Sequence, residues 1–198
     1  MSDEVSEPRF IHVLLIDQFA DWEPALALCE LTRRGRQWRP ITVGLERGRV
    51  VSMGGLVVEV DRGIEEIDAQ YVSALMAIGS SVWERGEVPP VSRFLRAAWH
   101  GGAIIGAICG ATLAAGHAGL LQGRHYTSNA PDFVRSKIAP ARLGTYVDAP
   151  AVRDGLLITA SGMGYVEFAA EMLTALGAMR DDERAGWVSF LRGAPKAA

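Results

Sequence analysis

The chain has 198 residues, 49% hydrophobic and 22% charged, enough apolar material for one substantial core in one domain and too much for a disordered polymer. Its formal net charge is -3 and its twenty Lys and Arg residues are scattered along the sequence, which leaves no basic field for a phosphate backbone and argues against nucleic acid as a partner. The opening MSDEVSEPRF is polar and acidic where a secretory leader would need a basic start and an apolar run, no segment approaches the ~20 apolar residues of a membrane span, and Cys29 and Cys109 are too few for a disulfide framework. These features predict a cytoplasmic protein with no membrane partner, residues 1–9 forming a flexible N-terminus and 10–193 a single domain. No His or Cys cluster has the spacing of a zinc site, and neither a metal nor a cofactor is expected.

Phe10 to Ile16, FIHVLLI, is a short apolar run with β-branched members and reads as a buried strand. WEPALALCELTRRG follows as a helix, with Pro24 early, Gly35 late, and Ala25, Leu28, Cys29 and Leu31 on or near one face. TVG around Val43 is a second strand, and VVSMGGLVVEVDRG a small hairpin turning at Gly54 and Gly55. VSALMAIG, ending at Gly79, is a third buried strand; VPPVSRFLRAAWHGG is a helix with prolines first and glycines last; AIIGAI, ending at Ile108, is the fourth strand. LGTYVDAPAVRDGLLITASG alternates and turns at Asp154 and Gly155 as a second hairpin. YVEFAAEMLTALGAM is an apolar-faced helix, and DDERAGWVSFLRG a short terminal one. Strands alternating with helices imply parallel pairing through right-handed crossovers, and so an α/β three-layer sandwich with a mostly parallel sheet.

The fourth strand runs into Cys109, then Gly110, then the helix formers ATLAAG. Ligands of open parallel sheets collect at the carboxyl ends of the strands, where the next helix presents free N–H groups. A thiol at that place is favoured as thiolate by the helix field and pushed outward by a sharp turn, and the Gly110 N–H can meet an oxyanion. On pattern alone, a nucleophile and a small buried residue ending a strand are equally good readings.

AICGATLAAGHAGLLQGRHYTSN resembles the cysteine elbow and following helix of the ThiJ/PfpI family, within the class I glutamine amidotransferase-like superfamily. VLLIDQFADWEPALALCELTRRG is similar to that family's first strand and helix, ALMAIGS to its third strand and glycine turn, and VRDGLLITASGMGYVEFA to its closing hairpin and helix. The resemblance implies a flavodoxin-like fold and makes Cys109 the nucleophile. It also implies that Glu23 approaches the sulfur, the first and fourth strands lying side by side. There the like charge raises the carboxyl pKa, so that Glu23 donates a hydrogen bond keeping the sulfur ionised. Without the resemblance Glu23 reads as an exposed first-turn residue, and Asp21 as an N-cap. Gly79 and Ser80 fall opposite the elbow, which makes the Ser80 and Gly110 N–H groups the implied oxyanion donors. Many relatives carry a second glycine where this chain has Ser80, which puts the tight geometry there in question. Trp83 either roofs the pocket or is an ordinary surface-loop aromatic.

Most relatives place a histidine about twenty residues beyond the nucleophile; here that position is Asn129, in YTSN, and the nearest histidine is His125. Asparagine takes no proton, so glutamine hydrolysis is not expected. Gly79, Trp83, Asn129 and His125 are the expected substrate-binding positions. The implied function is a cysteine-dependent small-molecule hydrolase or lyase acting on a carbonyl or amide compound, with Cys109 as nucleophile and Glu23 as proton carrier. The alternative is a non-catalytic redox-sensing or stress-response protein whose Cys109 is oxidised. A homodimer is expected because such relatives commonly dimerise and Trp187, Val188, Phe190 and Leu191 need cover on the terminal helix, unless that helix folds back on its own core.

Overall fold

The structure, a computed structural model, describes residues 9–34 and 37–193; the expected helix end at Gly35 and residues 1–8 of the expected flexible N-terminus lie outside the described residues. In chain order the elements are β1 (Arg9–Leu14), α1 (Trp22–Arg34), β2 (Trp38–Gly44), β3 (Gly48–Val51), β4 (Val57–Val60), β5 (Arg62–Gly63), β6 (Ala74–Ala77), α2 (Pro89–His100), β7 (Ile104–Ile108), α3 (Ala111–His117), β8 (His125–Tyr126), α4 (Pro131–Arg135), β9 (Thr145–Tyr146), β10 (Ala151–Asp154), β11 (Leu157–Ala160), α5 (Tyr165–Ala175) and α6 (Asp181–Leu191). Arg9 belongs to β1 rather than to a tail.

The central sheet has the order β10-β11-β7-β6-β1-β2-β5, parallel except where β10 meets β11 in the hairpin predicted at Asp154 and Gly155. Its strands are apolar on both faces because both are covered. Ile11, Val13, Met76, Ile108 and Ile158 pack with the residues of α1 and α5, while Leu14, Leu75, Ala77, Ile105 and Ala107 pack with those of α2 and α3. The predicted hairpin at Gly54 and Gly55 is the separate antiparallel pair β3-β4.

Two expectations about packing are corrected. In α1 the buried residues are Glu23, Pro24, Ala27 and Leu31, while Ala25 and Cys29 are exposed. The apolar stripe is turned because the helix must seat Glu23 at the sheet as well as its aliphatic residues. The first and fourth predicted strands, β1 and β7, are also not neighbours: β6 lies between them, each successive β-α-β unit adding one strand outward. Glu23 therefore reaches Cys109 across the end of a third strand. At the chain end, α6 folds back on α5, with Trp187 against the core and Arg184 and Arg192 paired to Glu171 and Glu167; Phe190 and Leu191 stay at the surface. Among the described residues no helix is long and apolar enough to cross a membrane.

The sheet is tightly covered beneath the elbow. A Cβ on Gly106, in the middle of β7, would stand 2.6 Å from Met172 Sδ and 2.8 Å from Phe168 Cζ. Gly106→Ala is expected to destabilise the protein by about 1–3 kcal/mol through overpacking, read as a lower urea midpoint at unchanged slope.

Candidate active site

Four adjacent strands, β11, β7, β6 and β1, each deliver one piece of the site at their carboxyl ends. Cys109 joins β7 to α3 with φ 57°, a left-handed backbone that costs a non-glycine residue roughly 1–2 kcal/mol. The turn is held from both sides: the Cys109 N–H donates to Ala160 C=O at 2.9 Å, and the Cys109 carbonyl accepts from Thr112 N at 3.1 Å and Thr112 Oγ1 at 2.6 Å. Thr112 Oγ1 also lies 2.6 Å from Ser128 Oγ, both buried. With its one proton on the Cys109 carbonyl, Thr112 accepts from Ser128, which ties the elbow to the strand segment leading to Asn129.

Glu23, from the first turn of α1, is fully buried. Its Oε2 accepts a 2.7 Å hydrogen bond from the Gly79 N–H at the end of β6. Gly79 has no side chain for a physical reason: a Cβ there would stand 2.7 Å from both Cys109 Cβ and Glu23 Oε2. The missing atom is what lets acid and thiol meet over the intervening strand. Gly162, after β11, closes the other side, where a Cβ would stand 3.1 Å from Cys109 Sγ and 3.3 Å from Glu23 Oε1. Glu23 Oε1 is buried without a hydrogen-bond partner of good geometry, while the carboxyl and the thiol are close enough for each to bear on the other's titration.

Asn129 stands where a histidine was missed. Its Nδ2 donates to Cys109 Sγ at 3.2 Å and its Oδ1 accepts from Gly162 N at 2.9 Å, an arrangement that fixes the amide's orientation. Gly162 C=O in turn accepts from Trp22 Nε1 at 3.0 Å. Sequence reasoning passed over Gly162, Trp22, Thr112 and Ser128; the small-residue turn TASGMG at the end of an apolar strand was the available signal for Gly162.

The electrostatics differ from the expected resting thiolate. Burial pushes Glu23 up from 4.5 to about 7, opposed in part by the Gly79 N–H and by the thiol. Burial, and then the Glu23 charge, push the Cys109 thiol up to about 11, opposed by the Asn129 amide and the Gly110 N–H. Around pH 7 Glu23 is therefore about half protonated beside a protonated thiol, and between there and about pH 11 the pair is a thiol beside a carboxylate, sharing one proton.

The remaining expected positions divide. Gly110 and Ser80 are brought together: a Cβ on Gly110 would meet Ser80 O at 2.9 Å and Trp83 Cδ1 at 3.2 Å, with Ser80 N at 3.5 Å. Ser80 has φ -155°, extended backbone open to any residue, so a second glycine is not needed. Its hydroxyl donates to Asp17 C=O at 2.6 Å and pins the turn. Trp83 is neither roof nor surface aromatic; it is 1% exposed, donates Nε1–H to Ile78 C=O at 2.8 Å and packs beneath the elbow. Asp21 accepts from Gly54 N at 2.8 Å and ties the β3-β4 turn to α1, away from the sulfur. His125 is not brought to the site. Its N–H donates to Asp154 Oδ2 at 2.8 Å, and Asp154 pairs with Leu157, which pairs with Ile105 at the amino end of β7. The chain from 125 to 129 runs beside β11, so four residues, roughly 13 Å, separate His125 from Asn129. His117 lies 3.8 Å from Glu87 at the far end of α3, and His12 lies within β1. Among the described residues no group of three or more His, Cys, Asp and Glu is placed to hold a metal ion.

A flavodoxin-like sheet with a left-handed cysteine between strand and helix, and a buried acid beside the sulfur, defines an α/β protein with a cysteine elbow at the carboxyl edge of its sheet. Residues 9–175 match the model of the DJ-1/PfpI family, and the chain belongs to that family. It is 30% identical over 190 residues to a Bacillus subtilis protein named "uncharacterized protease YoaZ", a match covering 91% of this chain and 90% of that one. Among solved structures it superposes on a DJ-1 superfamily protein from Agrobacterium tumefaciens with a TM-score of 0.82 at 31% identity, covering 94% of this chain and 100% of that one. A thiJ/pfpI family protein from Bacillus anthracis gives 0.83 at 28% identity, covering 96% and 92%.

Proposed function

We propose that the protein is a cysteine-dependent hydrolase or lyase of small carbonyl or amide compounds, with Cys109 as nucleophile and Glu23 as its base. The observation that carries this reading is the buried Glu23 carboxyl beside the strained thiol, its pKa moved up to about 7, near the value that serves proton transfer best at neutral pH. It supplies the base that Asn129 cannot. As Sγ bonds the carbonyl carbon, the thiol proton passes to the Glu23 carboxylate, and the Gly110 and Ser80 N–H groups meet the oxyanion. With an aldehyde, Glu23 returns the proton to that oxygen and a hemithioacetal forms. With an amide, the C–N bond breaks, the proton goes to the leaving nitrogen, and water then cleaves the thioester. A cavity of about 330 Å³ lined by Asn129, Tyr146, Ser161, Met163 and Arg192 adjoins the thiol through Asn129, which suits a small molecule better than a folded protein. The protease name carried by the Bacillus subtilis relative fits the amide branch of the same chemistry.

Turnover is expected in a screen of α-oxoaldehydes, amides and isonitriles. The kcat/KM of the substrate found should rise with pH through an acid limb near 7, where Glu23 gives up its proton. A flat profile between pH 5.5 and 8.5 would remove Glu23 as the base.

A second reading, oxidation sensing, is favoured by one observation: Glu23 Oε1 is buried without a well-formed partner beside Sγ. Peroxide would convert the thiol to a sulfenic acid and water, and a second equivalent to a sulfinic acid and water. The protonated Glu23 and the Asn129 amide would then hold the new oxygens.

A further inference from the structure

The twenty Lys and Arg residues are scattered in sequence, yet the fold gathers part of them. A cavity of about 340 Å³ opens where α2 and α3 end, remote from the thiol, and Arg96, Arg124, Arg142, His100, His117 and Trp99 are among its lining residues. No carboxylate lines it. Unlike Arg33, Arg34, Arg184 and Arg192, which are all ion-paired, these three arginines bond only backbone carbonyls among the described residues. Glu87 approaches the cavity, 3.8 Å from His117 Nδ1.

The carbonyl bonds orient the guanidinium groups and leave most of their donors unused. Arg96 spends Nε on Ala118 C=O at 3.2 Å, Arg142 spends one terminal nitrogen on His117 C=O at 2.9 Å, and Arg124 spends one on Leu120 C=O at 3.0 Å and Gln122 C=O at 3.2 Å. Arg124 is further held by stacking 4.5 Å over the Trp99 ring. Arg96 keeps both terminal nitrogens free of these bonds, and Arg124 and Arg142 each keep Nε and one terminal nitrogen. The Arg142 and Arg96 bonds satisfy the His117 and Ala118 carbonyls at the end of α3, whereas Arg124 bonds carbonyls beyond that helix. Helix capping accounts for Arg96 and Arg142 but not for Arg124, nor for the gathering of three fixed cations around one cavity in a chain of net charge -3.

We propose that this cavity is a binding site for the phosphate or diphosphate group of a small soluble molecule. A single carboxylate is matched by one guanidinium fork, whereas three forks with donors to spare suit a tetrahedral anion of higher charge. The concave shape favours a compact soluble ligand over a flat, extended surface.

The test is titration of the isotope-labelled full chain with sodium pyrophosphate and with inorganic phosphate at matched ionic strength, following the Trp99 indole and the Gly119 and Gln122 amides by NMR. Saturable shifts confined to these groups are expected, tighter for pyrophosphate, with the Gly110 amide unmoved. Arg96→Gln and Arg142→Gln should each weaken binding about tenfold, the loss of one charge-assisted contact. Arg135→Gln, which removes an exposed cation elsewhere, should leave it unchanged. If one cavity variant fails to fold, the other carries the test. Shifts that do not saturate, or equal weakening by Arg135→Gln, would overturn the site.

Discussion

Cys109→Ala is expected to abolish turnover of whatever carbonyl or amide substrate the screen identifies, by about 10³-fold or more in kcat, while the protein remains folded. Both expectations follow from the geometry. The backbone of residue 109 is fixed by the Ala160 carbonyl and by Thr112, and neither bond uses the sulfur. Alanine inherits the φ of 57° and its strain, so stability changes little. Chemically, no other group in the site can form the covalent bond, because Glu23 is buried against Gly79 and Asn129 is neutral. Parallel intact-mass measurement after graded peroxide separates the two readings of the site. Activity lost with the thiol marks an enzyme; selective oxygen addition at Cys109 in a wild-type protein that turns over none of the screened compounds marks a sensor. Full activity in Cys109→Ala would exclude the elbow from the reaction.

Glu23→Gln is expected to stabilise the protein above neutral pH and to disable it. The unfolded carboxyl titrates near 4.5 and the folded one at about 7. Between those values the folded state holds the proton more tightly, so stability is full below about pH 4.5, falls as pH rises, and levels off above 7. The loss is on the order of 3 kcal/mol. Cys109, pushed from 9.0 to about 11, adds a loss of the same sign in that more alkaline range. Glutamine keeps an acceptor for the Gly79 N–H and carries no charge, so the variant should lack the decline between pH 4.5 and 7. Urea unfolding at pH 5 and pH 8 reads this directly: the wild type should lose midpoint between the two and the variant should not. The same substitution removes the base, so kcat/KM should fall while the fold strengthens, the exchange of stability for activity common at working sites. Equal pH dependence in both proteins would mean that Glu23 is not the buried acid described.

Much of this site was legible in the sequence, but through the order of several motifs that resemble one family rather than through any one of them alone. A strand running into Cys-Gly and a helix start locates the turn but leaves Cys109 undecided between nucleophile and buried strand end, and only the resemblance turns Glu23 from an exposed first-turn residue into the sulfur's partner. The resemblance also implied that Asn129 occupies the position where most relatives carry a histidine. What sequence could not supply was lateral order. Placing β1 beside β7 was reasonable from the chemistry, but β6 intervenes, and the role of Gly79 as the gap through which acid and thiol meet becomes visible only with that strand in place. The direction of the thiol pKa was missed for a related reason: a helix N-terminus argues for a thiolate, whereas burial and a neighbouring carboxylate argue for a thiol, and burial is a property of the assembled layers. Trp83 and His125 failed similarly. Loop position says nothing of depth, and four residues of extended chain carry a side chain from one end of the sheet to the other.

The account stands on a single proton held jointly by Cys109 and Glu23. Its most direct test is the pH dependence of iodoacetamide alkylation at Cys109 in a Cys29→Ser background, with and without Glu23→Gln, since Cys29 is exposed and would otherwise react. The wild-type sulfur should titrate far above an ordinary cysteine, at about 11, and lower once the neighbouring charge is gone, burial still holding it above the ordinary value. A wild-type value near 8.5 or below, unmoved by Glu23→Gln, would contradict it.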